Sequence, residues 1–279
     1  MALLGAPLRR FVCVVVAARC SRRTVFAAAF DVPTQSHLHL ARSLWHAAVQ
    51  PGDVVVDATC GRGGDTLSLV DAVLDAEPRR GTEAPHGRVY SMDIDARAVE
   101  LCRERLRREL AARGDVDAIL GRVLSLELQS HERPPPGLAP RSARVVVFNL
   151  GFLPRTDGGT TTTASTTLTA LNDWALDALC AGGVATLAVY PGHDEGLIES
   201  VILTEFAKSL SKTVWRCVEH RALNHAQTAP YLLTLHRLYR DKPRSAPPEE
   251  LRADFRRADD VEAATAAALE KLAEMQAAR

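Results

Sequence analysis

Cysteine is scarce in this 279-residue chain, and none of its six thiols stands in a Cys-x-x-Cys pair. Cys13, Cys20, Cys60, Cys102, Cys180 and Cys217 are scattered, which excludes a compact zinc finger and a disulfide-stapled scaffold. The histidines form no trio with ligand spacing, so no metal is expected. No apolar stretch reaches the roughly 18 to 20 residues needed to span a bilayer, which excludes a membrane-crossing helix. Neither charge is in surplus: Lys plus Arg and Asp plus Glu both total 34. A basic coat for nucleic acid is therefore excluded for the whole chain, though not a local basic face. Lysine is almost missing, 4 against 30 arginines, a compositional bias that takes weight from any single exposed arginine. What remains is 47% hydrophobic residues, enough for one large core.

The even balance conceals an asymmetry. Residues 1–30 hold five arginines and no Asp or Glu, so the rest of the chain is net acidic by five charges. An Arg-rich, acid-free leader with Ser21, Thr24 and small apolar residues predicts an organelle presequence, mitochondrial or plastid. Two alternatives stay open. Phe11–Ala18 has the size of a secretory core, and a cytoplasmic protein with an unstructured leader would look the same. The expected organisation is a leader over 1–30, a catalytic domain over 31–240 and an Ala- and Glu-rich helical extension over 241–279 that carries no chemistry.

Leu38–Val49 has helical periodicity and leads to Pro51–Gly52. Val54–Asp57 is a short β-branched run of the kind found in buried parallel strands, and Thr66–Leu74 after it is helical. Arg88–Met92 predicts a second strand ending at Asp93, with a helix over Ala96–Leu110. Val116–Leu120 is expected as a weaker third strand, and the proline-rich Arg133–Pro140 as an exposed connection. Arg144–Phe148 is the fourth strand, ending at Asn149. A helix over Leu168–Cys180, a strand over Gly183–Tyr190 and a helix over Gly196–Leu210 follow. Val214–Arg221 and Tyr231–Leu238, joined by the polar turn Asn224–Thr228, predict an antiparallel hairpin. The pattern describes a doubly wound α/β sheet of seven strands, mostly parallel with an antiparallel C-terminal hairpin. In such sheets ligands bind at the carboxyl ends of the strands, where Asp57, Asp93, Asn149 and His193 fall.

The segment DATCGRGGDT, Asp57 to Thr66, places glycines 61, 63 and 64 where a strand feeds a helix. It does not match a nicotinamide fingerprint, because Thr66 stands where the third glycine should be, and no GKS or GKT follows to cradle a phosphate. Acidic Asp57 and Asp65 disfavour a diphosphate and suit the ammonium and sulfonium of S-adenosylmethionine. Asp93 closes the next strand, where a carboxylate can accept both hydroxyls of a ribose. Cys60 reads as turn filling, since no histidine sits near it in a Cys–His spacing.

NLGFLP, Asn149 to Pro154, ends the fourth strand. The side-chain carbonyl of Asn149 and the backbone carbonyl of Leu150 can accept hydrogen bonds from an amine and aim its lone pair at a methyl group, while Phe152 can stack on a base. Such a transfer needs alignment and shielding more than acid–base work. An aliphatic amine must still lose a proton, for which Asp157 and His193 are candidates. His193 reads equally well as an ordinary loop contact. The hydroxyls of Thr160–Thr163, Ser165, Thr166 and Thr167 precede a helix and offer a place for a nucleotide phosphate.

Taken together, DATCGRGGDT, NLGFLP, the Thr/Ser run, VYPGHDEG and NHAQTAPYLLTLHR resemble, in order, the motifs of bacterial and plant methyltransferases first described as rRNA methylases. These are the MnmM-type tRNA 5-(aminomethyl)-2-thiouridine methyltransferases, and the resemblance runs from about Ser36 to Arg237. It implies a Rossmann-like class I fold and S-adenosylmethionine as cofactor. The implied activity is conversion of the 5-aminomethyl group of a tRNA wobble uridine to 5-methylaminomethyl, with the anticodon stem-loop as partner. The implied cofactor site is Asp57, Thr59, Cys60, Gly61, Gly63, Asp65, Thr66, Asp93 and Asn149; the implied catalytic set is Asn149, Leu150, Phe152, Asp157 and His193. Three departures stand out: Arg155–Thr156 replaces a Gly-Gly, Ala229–Pro230 replaces a Pro-Pro, and Gly121–Leu124 replaces a His- and Lys-bearing segment. Alternatives are an N-methyltransferase acting on rRNA or another base amine, a nicotinamide dehydrogenase, and a non-catalytic RNA-binding protein. Apolar sheet-edge or helix faces leave a homodimer open.

Overall fold

The computed structural model describes residues 36–76, 86–150 and 164–238, together with the exposed helical positions Ala263, Ala266, Glu270 and Ala273. The leader, nearly all of the C-terminal extension, Phe152, Pro154, Asp157 and Thr160–Thr163 lie outside the described residues.

Seven strands form one sheet in the order β3-β2-β1-β4-β5-β7-β6. They are β1 (Val54–Asp57), β2 (Arg88–Asp93), β3 (Leu124–Leu128), β4 (Ala143–Asn149), β5 (Leu179–Val189), β6 (Trp215–His220) and β7 (Tyr231–Arg237). The first five run parallel; β7 pairs antiparallel with both β5 and β6, so the C-terminal hairpin is wedged onto one edge of the sheet. The strand order reverses between β1 and β4, and at such a switch point the loops diverge and leave a crevice.

Both faces are covered, which explains why β1 and β4 carry unbroken apolar runs, over 54–56 and 145–148, rather than alternating ones. Val55, Val89, Val145 and Val147 point into one core with α1 (His37–Ala48), α2 (Gly64–Ala76), α3 (Ala96–Leu110) and α4 (Val116–Val123). Val56, Met92, Val146 and Phe148 point into the other, against α5 (Ala164–Ala170), α6 (Leu176–Ala178) and α7 (Asp194–Ser209). A π-helical turn, Leu171–Ala175, joins α5 to α6. On the first face Trp45 of α1 is fully buried and its indole N–H donates to Thr186 of β5 at 3.0 Å, so α1 is fixed to the middle of the sheet.

Two expectations need correction. Val116–Leu120 is not a strand but the start of α4: Asp115 caps it by accepting from the Ala118 amide at 3.1 Å, and Leu120 and Val123 face the core. The true third strand is Leu124–Leu128, in register with β2 from Val89↔Leu124 to Asp93↔Leu128. Helical spacing at Val116, Ile119, Leu120 and Val123 outweighed the β-branched composition. Consequently Gly121–Leu124 ends a helix and opens a strand, and does not follow the third strand. The helix expected over Leu168–Cys180 stops at Ala178, because Leu179 and Cys180 already belong to β5.

Candidate active site

The glycine turn after β1 is anchored on both sides. The Ala58 amide donates to the Val147 carbonyl of β4 at 2.9 Å, and the Cys60 amide to the Met92 carbonyl of β2 at 2.8 Å. Gly61 and Gly63 adopt φ of 50° and 76°, a region open to glycine at no steric cost. Their surroundings differ. A methyl on Gly63 would lie 2.9 Å from the Cα of Cys102, so this glycine lets α2 and α3 close together. At Gly61 the nearest atom would be 4.0 Å away, and the residue lines an open cavity.

Asp57 is wholly buried beneath this turn. Its carboxylate accepts from the Thr66 hydroxyl at 2.6 Å and the Thr59 amide at 3.1 Å, and Thr66 also bonds Ser91 at 2.8 Å. Burial, and then the neighbouring Asp65, push the Asp57 carboxyl up to about 7 against the pull of its two donors. Asp57 therefore braces the glycine turn from beneath through Thr59 and Thr66 and does not itself line the cavity. Asp93, at the end of β2, accepts from the Gly61 amide at 2.9 Å and the Asp95 amide at 3.0 Å. A carboxylate has about four acceptor sites, so two remain. The Cys60 thiol is pushed well up by its hydrogen bond to Cys102 and by burial, which leaves it an inert filler of the turn.

Across the switch point stands Asn149. Its backbone amide donates to the Thr59 hydroxyl at 2.8 Å, joining the end of β4 to the glycine turn. Its side-chain N–H donates to Asp65 at 2.8 Å, and its side-chain carbonyl accepts from the Tyr190 hydroxyl at 3.0 Å. Asp65 is held in turn by Arg42 of α1 at 2.9 Å, and Tyr190 by His37 at 3.2 Å. Burial, followed by the nearby Asp65, raises the Tyr190 hydroxyl to about 12, so it stays a donor. Burial lowers the His37 imidazole more than Asp65 raises it, which keeps the ring neutral near pH 7.

These groups surround a cavity of about 470 Å³ lined by Arg42, Thr59, Cys60, Gly61, Arg62, Gly64, Asp65, Arg105, Asn149, Tyr190 and His193. His193 caps α7, its Nδ1 accepting from the Gly196 amide at 3.0 Å, so one ring nitrogen is already engaged. Leu150 is buried next to Asn149 and its amide bonds the Ala188 carbonyl at 3.1 Å. Thr167, one of the hydroxyls considered for a phosphate, is instead fully buried and donates to Glu199 at 3.1 Å. Tyr190, Arg42, Arg62 and Arg105 were not singled out by sequence. Tyr190 ends the fifth predicted strand and lies within VYPGHDEG, which was its one signal; the arginines had none against so arginine-rich a background.

Comparison with known proteins places this architecture. The family described as "Putative rRNA methylase" matches residues 89–236. A chloroplastic tRNA (mnm(5)s(2)U34)-methyltransferase of Arabidopsis thaliana is 33% identical over 196 residues, 70% of this chain and 66% of that protein, so the match spans just under two thirds of the relative. Among solved structures, a putative rRNA methylase of Clostridium thermocellum is 26% identical with a TM-score of 0.61, covering 74% of this chain and all of that one. A Streptococcus mutans methyltransferase, solved with S-adenosylhomocysteine, shares the fold at 24% identity and a TM-score of 0.58, covering 74% of this chain and 100% of its own. The chain thus belongs to the Putative rRNA methylase family of class I, S-adenosylmethionine-dependent methyltransferases.

Proposed function

We propose that the protein methylates the primary amine of a 5-aminomethyl group on the wobble uridine of tRNA, with or without a 2-thio substituent, giving 5-methylaminomethyl. The observation that carries this reading is the clamped Asn149. Tyr190 and Asp65 fix both ends of its amide, and Thr59 ties its backbone to the glycine turn. A carbonyl oxygen has two lone pairs and Tyr190 takes one; the other is left for an N–H of the substrate. An amine so held is fixed in direction before reaction, which is where most of the rate gain of such a transfer arises.

The residues present fit an adenosyl cofactor. Gly61 leaves space that any side chain would fill, and Asp93 retains two acceptor sites at the end of β2, suited to ribose hydroxyls. Thr59, Cys60 and Asp65 complete that side, while the buried Thr66 and Asp57 beneath hold the turn in shape. When bound, S-adenosylmethionine supplies a sulfonium methyl; the new C–N bond forms as the C–S bond breaks and its electron pair leaves on sulfur. The departing amine proton goes to Asp157, directly or through water; the Tyr190 hydroxyl is committed as a donor to Asn149 and the His193 Nδ1 as an acceptor from the Gly196 amide, so these two orient the site rather than take the proton. Phe152 would stack on the uracil. The plant relative's location supports import of this chain into a plastid or mitochondrion through residues 1–30.

The test is nucleoside mass spectrometry of tRNA carrying 5-aminomethyluridine, before and after incubation with the enzyme and methyl-labelled cofactor. Label in 5-methylaminomethyluridine is expected. Label in another base, or none in the tRNA, would overturn the substrate assignment.

A further inference from the structure

Three guanidinium groups line the active-site cavity, and among the described residues only one has a carboxylate to answer it. Arg42 is paired with Asp65. Arg62, exposed at the rim, and Arg105, half-buried on α3, make no ion pair with a carboxylate among the described residues, and the Nε–H of Arg105 is shut off from water with no acceptor. A methyl built on Gly64 would lie 3.4 Å from Nη1 of Arg105 and 3.5 Å from Nη2 of Arg42, so two cationic groups converge over one bare backbone position. That position is the first residue of α2, a 13-residue helix whose N-terminal end carries partial positive charge. Like charges gathered around a half-buried donor are costly unless an anion joins them.

We propose that Arg62 and Arg105 receive a phosphodiester of an RNA substrate at the mouth of the cavity, with Arg42 held beside them by Asp65. The cofactor alone does not answer the charge. It brings one carboxylate against an ammonium and a sulfonium, so its arrival makes the pocket more cationic. A planar guanidinium fork is matched to phosphate oxygens, and Arg62 lies at the rim, where a polymer can reach it. Beyond residue 30 the chain is net acidic, so affinity for a polyanion has to come from a local cluster of this kind. The inference rests on the protein acting on RNA; it does not depend on which base is methylated.

The experiment measures binding of two unmodified RNAs, an anticodon stem-loop and a stem-loop of unrelated sequence, across a salt series. It compares wild type, R62Q, R105Q, R105K and the double variant R62Q/R105Q, with R108Q as a control on the exposed face of α3. In parallel, calorimetry gives the affinity of each for S-adenosylhomocysteine. The double variant is expected to bind both RNAs at least about tenfold more weakly. Its slope of log affinity against log salt should flatten by about 0.7 for each phosphate no longer neutralised. S-adenosylhomocysteine affinity should stay within about twofold, R108Q should match wild type, and R105K should recover part of the affinity. Unchanged RNA binding in the double variant overturns the site. So does a loss confined to S-adenosylhomocysteine, which would assign the arginines to the cofactor's carboxylate. Because these RNAs carry no aminomethyl group, RNA binding that depends on the pair supports the site even if methyl transfer to aminomethyluridine fails.

Discussion

Asn149 has one orientation available to it: Asp65 accepts from its N–H, Tyr190 donates to its carbonyl, and reversing the amide would set its carbonyl against the Asp65 carboxylate, acceptor against acceptor. Asn149→Ala removes the alignment and is expected to lower kcat by about 100-fold while far-UV circular dichroism stays unchanged. Tyr190→Phe keeps the ring and deletes the hydroxyl that links Asn149 to His37. A smaller fall, about tenfold in kcat, is expected, with S-adenosylhomocysteine affinity by calorimetry unaffected. If both variants turn over at the wild-type rate, the amide does not grip the amine. Asn149 was legible from sequence as a polar residue ending an apolar strand. Its partners were not, because they come from α1, from the start of α2 and from the end of β5, and only pairing at the switch point brings them together.

The two positive-φ glycines of the turn do different work, and substitution should separate them. Gly63→Ala drives a methyl into the backbone of α3 and also places alanine in the left-handed region. A loss of about 3 kcal/mol in urea unfolding is expected. Gly61→Ala meets no wall; about 1 kcal/mol of backbone strain is expected, together with weaker binding of S-adenosylhomocysteine as the methyl enters the cavity. Equal stability losses would show that the turn is not divided in this way. At α4, Asp115→Ala removes the cap and should cost about 1 kcal/mol. That helix also marks where local sequence misled: its β-branched residues favour a strand, and the decision fell to the row Val116, Leu120 and Val123 packing on α3 and the sheet.

Stability of the folded chain carries a pH signature from its buried acids. Burial raises Glu199 on α7 to about 7 against a weaker opposing pull from the Thr167 hydroxyl, and Asp57 is raised in the same sense. Between the ordinary carboxylate value of about 4.5 and pH 7, the folded state keeps a proton that the unfolded chain has released. Stability from this group therefore falls as pH rises through that window and levels off above it. Glu199→Gln keeps an acceptor for Thr167 and cannot ionise. Relative to wild type, the variant should gain up to about 3 kcal/mol in urea unfolding between pH 5 and pH 8. A wild-type-minus-variant difference that does not vary with pH would show Glu199 to be ordinary.

Apart from α4 and β3, where packing decided, the strand runs, the helices that flank them, the hairpin and the polar residues at strand ends followed from covalent order, since each depends on neighbours within a few positions. Side-chain partnership was not, because it depends on which strands lie side by side. The order β2-β1-β4-β5 turned Asp57 into an internal support, put Asn149 against Asp65 and Tyr190, and carried Thr167 into the core. The same packing selected Arg42, Arg62 and Arg105 from a chain in which thirty arginines looked alike, for charge has meaning only at the distances that folding sets.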